Sequence, residues 1–136
     1  MPQLIAIDYG SKRTGIAVTD DLQLIASGLT TVSTTELIPF LKEYAQLNKI
    51  EAFVVGEPKR LHGEASDIEV EIKTFLEQLA KEFIGVQIHR IDERFTSKMA
   101  FDTMLKSGIS KKKRRDKSLV DKISATLILQ DFLNYR

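Results

Sequence analysis

The chain opens with two apolar runs joined by a short basic turn, Leu4-Ile5-Ala6-Ile7-Asp8-Tyr9-Gly10-Ser11-Lys12-Arg13-Thr14-Gly15-Ile16-Ala17-Val18-Thr19-Asp20. Residues 4–7 are all apolar and predict a buried strand that stops on a carboxylate, Asp8. A second apolar run follows a loop bracketed by Gly10 and Gly15. Two such runs joined by a tight, glycine-containing turn predict a β-hairpin.

Asp8 is therefore expected at the carboxyl end of a central strand, where an oxygen ligand can face a crevice. The two glycines allow close approach by a bulky group such as a phosphate, and Lys12 and Arg13 lie between them. Two large protein classes use this pattern, the phosphate-binding hairpin of actin-like and sugar-kinase ATPases and the first metal-binding strand of ribonuclease-H-like nucleases. A third interpretation is that Asp8 only ends a strand and caps a turn.

Length and composition narrow these choices. A chain of 136 residues forms one domain, which counts against an ATPase that grips its nucleotide between two lobes. The absence of cysteine excludes disulfides, thiolate metal sites and cysteine nucleophiles. Neither a signal peptide nor an apolar run of about 18 residues is present. We therefore expect a cytoplasmic protein with no membrane partner.

The positive charge is concentrated in one segment. Residues 111–117 hold six of the 20 basic residues and one of the 19 acidic residues, so the rest of the chain is acidic although the net charge is +1. This run is either a solvated loop or a grip on a phosphate backbone. It contains no aromatic residues, which argues against base stacking and sequence readout there.

Apolar periodicity predicts three strands followed by alternating helices and strands. The predicted elements after the hairpin are a strand over 24–32, a capping box at 33–36 with a helix to Asn48, a strand over 52–56, a helix from Ser66 or Asp67 to Phe83, a strand over 86–91, a helix from Thr96 to about Gly108, and a last helix over Leu119–Asn134. The predicted buried stripes of the first two helices are Leu37, Phe40, Leu41, Tyr44 and Leu47, and Ile68, Ile72, Phe75, Leu76, Leu79 and Phe83.

This element order predicts an α/β fold with a five-stranded mixed sheet, strand order 3-2-1-4-5, and helices on both faces. Right-handed crossovers place the fourth strand beside the first. The boundary between them is a topological switch point, where ligands favour the carboxyl ends of the strands.

Several acids fall at these carboxyl ends. Asp8 ends the first strand, Glu57 the fourth, and Asp92 and Glu93 the fifth, while Asp121 lies early in the last helix. Carboxylates gathered at one edge repel each other unless a cation neutralises them. Hard oxygen ligands without cysteine or clustered histidine suit Mg²⁺ or Mn²⁺, and two such ions about 4 Å apart could hold both the attacking water and the leaving oxygen of a phosphodiester.

Each acid also has a plain structural interpretation. Asp121 lies three residues after Ser118 and could complete a capping box. Glu57, which precedes a proline, could be an exposed loop residue, and Glu93 could pair with Arg94. The two histidines, His62 and His89, are isolated from each other in the sequence and are not expected to be ligands.

Four motifs, in this order and over nearly the whole chain, resemble the YqgF-type Holliday-junction resolvases, ribonuclease-H-like proteins also linked to trimming of the small-subunit ribosomal RNA precursor. The motifs are Ile7-Asp8-Tyr9-Gly10-Ser11-Lys12-Arg13-Thr14-Gly15-Ile16-Ala17, Val54-Val55-Gly56-Glu57-Pro58 with His62-Gly63, Asp92-Glu93-Arg94-Phe95-Thr96-Ser97, and Val120-Asp121-Lys122-Ile123-Ser124-Ala125.

The resemblance implies a single ribonuclease-H-like domain over 1–136 with three catalytic, metal-binding carboxylates, Asp8, Glu93 and Asp121. It also implies that Arg94 and Thr96 help to shape the site. The family usually has an apolar residue at the position of Glu57, so Glu57 is either an additional ligand or a surface substitution.

The leading hypothesis is a nuclease that uses Mg²⁺ or Mn²⁺ to hydrolyse phosphodiesters in structured nucleic acid, either ribosomal RNA precursor or branched DNA. The basic segment 109–117 is expected to be mobile until substrate orders it, and binding is expected to depend strongly on salt. The residues expected to contact nucleic acid are Lys12, Arg13, Arg94, Thr96, Lys111, Lys112, Lys113, Arg114, Arg115 and Lys117.

Two other functions remain open from the sequence. One is a ribosome-assembly factor that binds nucleic acid without cutting it, and the other is a small phosphotransferase that uses the hairpin on ATP. A junction resolvase should be a two-fold dimer because it cuts two strands symmetrically, whereas a processing enzyme could be a monomer. The sequence leaves monomer and homodimer equally open.

Overall fold

The computed structural model describes residues 2–20, 22–58, 68–92 and 117–135. Its strands are β1 (Gln3–Asp8), β2 (Arg13–Thr19), β3 (Ala26–Ser33), β4 (Ile50–Glu57) and β5 (Gln87–Asp92). Its helices are α1 (Leu37–Leu47), preceded by a 3-10 turn (Thr34–Glu36), α2 (Glu69–Glu82) and α3 (Lys117–Tyr135). The helix predicted from Thr96 lies outside the described residues, and so do the predicted caps Ser66 and Asp67 and most of the basic segment.

The five strands form one sheet in the order β3-β2-β1-β4-β5, which confirms the predicted topology. The hairpin strands β1 and β2 are antiparallel, as are β2 and β3, whereas β4 and β5 run parallel to β1. The carboxyl ends of β1, β4 and β5 therefore meet at one edge, together with the start of β2 and the end of β3. We call this the carboxyl edge.

Each face of the sheet has its own apolar core, because side chains alternate along the strands. In β1, Ile5 and Ile7 join the core under α1 and α2, whereas Leu4 and Ala6 join the core under α3. The predicted stripe of α2 is confirmed, with its central residues buried and its flanking residues packed against the first core. No helix within the described ranges combines the length and apolarity needed to span a membrane.

The second core is built from small residues, which lets α3 lie close to the sheet. Four of its eight buried members are alanines, Ala6, Ala17, Ala52 and Ala125. A Cβ atom placed on Gly15 of β2 would overlap the backbone carbonyl oxygen of Asp121 in α3. Gly15 was expected to bracket the turn, but in the structure it is a residue of β2 that makes room for a helix backbone.

Three local predictions were wrong. Ser33 makes no capping bond to a backbone N–H, because its hydroxyl lies 3.2 Å from the hydroxyl of Thr35. Leu47 is 85% exposed, because it is the last residue of α1 and lies beyond the end of the core. α3 begins at Lys117, two residues before the predicted start at Leu119.

A buried ion pair fastens α2 to the ends of β4 and β5. Arg90 of β5 donates to both carboxylate oxygens of Glu69, at 2.8 and 3.3 Å, and to the backbone carbonyls of Val55 and Gly56 at 3.1 and 3.0 Å. The Glu69 side chain is only 8% exposed. Because a charge buried this deeply must be neutralised, the pair fixes where α2 begins relative to the sheet.

Removing the cation of this pair should destabilise the fold strongly. Arg90→Met leaves the carboxylate of Glu69 buried without its partner, and we expect the free energy of unfolding to fall by about 3 kcal/mol in urea titration. The matched control is Lys42→Met, which removes a 2.6 Å pair to Glu82 whose side chains are 52% and 39% exposed and should cost less than about 1 kcal/mol. Equal losses for the two variants would contradict this account.

Two glycines that face α3 provide a second stability test. Neither Gly15 nor Gly28 has a positive φ, so what each position requires is space. Gly15→Ala should lower the free energy of unfolding by about 1–3 kcal/mol, because its methyl group meets helix backbone. Gly28→Ala should cost much less, since its methyl group meets the flexible side chain of Lys122 at 2.7 Å. A Gly28→Ala loss as large as that of Gly15→Ala would show that the backbone approach at Gly15 has no special role.

Candidate metal centre

Asp8 lies at the carboxyl edge on the face of the sheet that α3 covers. The alternation of β1 places Asp8 with Leu4 and Ala6, both of which pack in the core under α3. Asp8 is half-buried, and in the antiparallel register it lies directly opposite Gly15.

The packing of α3 brings Asp121 to the same place. Because the backbone of Asp121 lies against Gly15, and Gly15 pairs with Asp8, the two acids flank one glycine although 113 positions separate them in the chain. The Asp121 side chain remains 27% exposed, so its carboxylate is accessible from solvent. Two of the three predicted residues, Asp8 and Asp121, thus lie beside the same glycine, whereas Glu93 lies outside the described residues.

A guanidinium accompanies the two acids. Arg13 begins β2 and places its Nε 3.3 Å from Oδ2 of Asp121, with 39% of its side chain exposed. Arg13 is a predicted phosphate contact, and in the structure it pairs with a carboxylate. Lys12, its neighbour in the turn, is exposed to solvent.

The turn that carries Arg13 is held in position from two sides. Ser11 donates a 2.9 Å hydrogen bond to Glu71 of α2, and Thr34 donates a 2.6 Å hydrogen bond to the carbonyl of Gly10. A Cβ atom on Gly10 would overlap the carbonyl oxygen of Arg13, so the turn closes tightly on itself. The Arg13 backbone is therefore fixed, whereas its side chain extends towards α3.

Glu57 lies on the other face of the sheet. The alternation of β4 places it with Phe53 and Val55, which belong to the core under α1 and α2. Its carboxylate is 3.9 Å from Nη1 of Arg90, which belongs to the pair that anchors α2. The structure separates Glu57 from Asp8 and so favours the surface substitution over the additional ligand.

The face opposite Asp8 carries a cleft of about 660 Å³ between α1 and α2. Its lining includes the acids Glu71 and Glu82 beside the ring of Tyr9, which packs on Phe75 at 5.2 Å between centroids. Burial, and to a smaller extent the charge of Glu71, raises the pKa of the Tyr9 phenol. Two carboxylates and one lysine, Lys81, are thus the charged groups that line this cleft.

The described residues fit a divalent metal in part. Two aspartates and a guanidinium share one neighbourhood, which shows that this edge accommodates a cation beside its carboxylates. Carboxylate oxygens are ligands that Mg²⁺ and Mn²⁺ prefer. Within the described ranges, no group of three or more His, Cys, Asp or Glu side chains could hold a metal ion.

Several residues predicted to contact nucleic acid fall outside the part of the chain that the structure describes. Arg94, Thr96 and residues 111–116 lie outside the described residues, and Lys117 is described only as the first residue of α3. His89, expected to be an ordinary strand residue, packs its ring on Phe132 at 4.9 Å between centroids. The space that Gly15 leaves for α3 was not predicted, although the alanines in the facing elements indicate close helix packing.

A search for similar proteins identifies the family. The chain matches the family model described as "RuvX: Holliday junction resolvase" over residues 2–135. Relatives from Flavobacterium johnsoniae and Christiangramia forsetii are 54% and 56% identical, over 98% of this chain and 97% and 98% of theirs, and both carry the name "Putative pre-16S rRNA nuclease".

Solved structures show the same fold at low identity. RuvC of T. thermophilus in complex with a Holliday junction substrate is 17% identical, with a TM-score of 0.56 over 94% of this chain and 92% of that one. The fowlpox virus resolvase in complex with Holliday junction DNA is 12% identical, with a TM-score of 0.57 over 97% of both chains. The fold is ribonuclease-H-like, and the chain belongs to the RuvX family of Holliday junction resolvases.

Proposed function

We propose that this RuvX-family nuclease uses Mg²⁺ or Mn²⁺, held by Asp8, Glu93 and Asp121, to hydrolyse phosphodiester bonds in the precursor of 16S ribosomal RNA. The observation that carries the proposal is that Asp8 and Asp121 flank Gly15 at the carboxyl edge. Carboxylates on neighbouring elements at one edge of a sheet repel each other unless a cation lies near them.

Glu93 is included in the proposed metal site because side chains alternate between the two faces of the sheet along β5. His89 packs on Phe132 of α3, and Ile91 packs against the core under α3, so both lie on the face of Asp8. The strand ends at Asp92, at the same edge as Asp8. A continuation of the two-residue period would bring position 93 to that face, where Glu93 would be the third carboxylate.

The chemistry divides between the ion and the protein. A bound divalent ion supplies an activated water nucleophile and neutralises charge on the phosphoryl oxygens. Asp8 and Asp121 hold the ion on backbone that the sheet and α3 fix in place. Lys12 and the basic segment 111–117 contact the phosphates on either side of the scissile bond, which gives binding that depends on shape and salt.

The proposal that the substrate is ribosomal RNA precursor depends on relatives at 50% identity or more, whose name refers to pre-16S ribosomal RNA. A cytoplasmic location goes with this substrate, because that precursor is made there. The second candidate substrate is a four-way DNA junction, favoured by the description of the family model. A junction resolvase would have to act as a two-fold dimer, whereas trimming an RNA end needs only one active site.

Cleavage assays with single carboxylate variants test the nuclease. Asp8→Asn and Asp121→Asn should each reduce the cleavage rate by about 100-fold or more, comparable to the loss of a general base, with nucleic-acid affinity not reduced when it is measured without divalent ions. The substrates are a pre-16S fragment and a four-way DNA junction, each tested with Mg²⁺ and with Mn²⁺. The matched control is Glu57→Gln, a carboxylate at the same edge but on the other face, which should cut at close to the wild-type rate.

Each possible outcome has a definite meaning. Cutting of the RNA alone supports the processing enzyme, and paired cuts in the junction by a dimer support the resolvase. Tight binding of the RNA with no cutting of either substrate by the wild type would overturn the nuclease proposal in favour of an assembly factor. Loss of activity in Glu57→Gln equal to that in Asp8→Asn would show that the site has been placed on the wrong face.

A further inference from the structure

The contact between Arg13 and Asp121 is a weak one for an arginine–carboxylate pair. It consists of a single hydrogen bond from Nε at 3.3 Å, with both side chains partly exposed. The terminal nitrogens of Arg13 have no partner within the part of the chain that the structure describes. A guanidinium binds a carboxylate most strongly through two parallel bonds, so this pair leaves most of the hydrogen-bonding capacity of Arg13 unused.

The same protein contains an arginine pair of the opposite kind. Arg90 meets both oxygens of Glu69 and two backbone carbonyls, and the carboxylate is almost fully buried. Such a pair cannot exchange partners without leaving a buried charge. The pair between Arg13 and Asp121 can exchange partners without leaving a buried charge, because solvent reaches both groups and the pair contains a single hydrogen bond.

The backbone around Arg13 permits movement of the side chain alone. Arg13 is the first residue of β2 and pairs with Ser33 of β3, while the preceding turn is closed against α2 and the 3-10 turn. The guanidinium can therefore change partners by rotation about its side-chain bonds, with no change in the sheet.

We propose that Arg13 is an exchangeable counter-cation: it neutralises Asp121 until a divalent ion binds, and its guanidinium then passes to a phosphate of the nucleic acid. This inference rests on the proposed function. The ion and the guanidinium need the same carboxylate, so they compete for it, and the ion repels the displaced positive charge. A phosphate is the partner that a released guanidinium binds best, through a planar two-bond contact.

The proposal makes metal binding and nucleic-acid binding cooperative. A divalent ion prepares Arg13 for the phosphate, and a bound phosphate removes Arg13 from competition for Asp121. Since linkage is reciprocal, each ligand must strengthen the other by the same factor. If Arg13 only held Asp121 in place, its removal would leave Asp121 less ordered and would weaken the binding of the divalent ion. That is the opposite of the effect expected for an exchangeable counter-cation.

The first test measures Mn²⁺ affinity without nucleic acid, by calorimetry on the full chain. Arg13→Ala should bind Mn²⁺ about two- to fivefold more tightly than wild type, the range for removing one partly exposed ion pair. The control is Lys12→Ala, which removes a charge from the same turn but no contact with Asp121, and its affinity should change less. Weaker Mn²⁺ binding by Arg13→Ala, or an equal gain in both variants, would overturn the proposal.

The second test measures the affinity of a pre-16S fragment with and without Ca²⁺, by fluorescence anisotropy. Ca²⁺ should strengthen RNA binding by wild type more than by Arg13→Ala, with Arg13→Lys intermediate because lysine lacks the planar fork. Lys12→Ala should weaken binding equally with and without Ca²⁺. An unchanged effect of Ca²⁺ in Arg13→Ala would contradict the transfer of the guanidinium.

The two proposals can fail separately. The Mn²⁺ test involves neither RNA nor cleavage, so a protein that never cuts can still confirm that Arg13 competes with the ion. Conversely, full cleavage activity combined with weaker Mn²⁺ binding by Arg13→Ala would support the nuclease and reject the exchange. Arg13→Gln, which keeps the length of the side chain and loses its charge, replaces Arg13→Ala should the shorter variant fail to fold.

Discussion

The approach of the α3 backbone to Gly15 is the contact on which the candidate site depends. It brings Asp121, near the end of the chain, beside Asp8, near its beginning. No flexible side chain intervenes, so the distance between sheet and helix is set by backbone against backbone. The alanines of the second core serve the same purpose, because larger side chains there would lift α3 and carry Asp121 away from the edge.

The two faces of the sheet are built for different tasks. The face under α1 and α2 is closed by large apolar residues and by the buried pair of Arg90 and Glu69, which is costly to break. The face under α3 ends in partly exposed charges, where Arg13 makes one modest contact with Asp121.

The sequence predicted the sheet, its strand order and the position of Asp8, because these follow from apolar periodicity and from the handedness of crossovers. It left the role of Glu57 open and was wrong about Leu47 and Ser33, because these outcomes depend on the alternation or the exact end of an element. Glu57 ends a strand as Asp8 does, but its register turns it to the other face. Leu47 falls past the core, and Ser33 bonds a neighbouring hydroxyl. The sequence could not predict the partner of Arg13, because Arg13 and Asp121 lie in distant segments that only the packing of α3 brings together.

The most direct test of the central claim is a crystal structure of the protein soaked in Mn²⁺, with the ion located by its anomalous scattering. The account predicts anomalous density in contact with both Asp8 and Asp121, on the α3 side of the sheet, and Arg13 turned away from Asp121. Density at Glu57 on the opposite face, or full occupancy elsewhere with the pair of Arg13 and Asp121 intact, would contradict it.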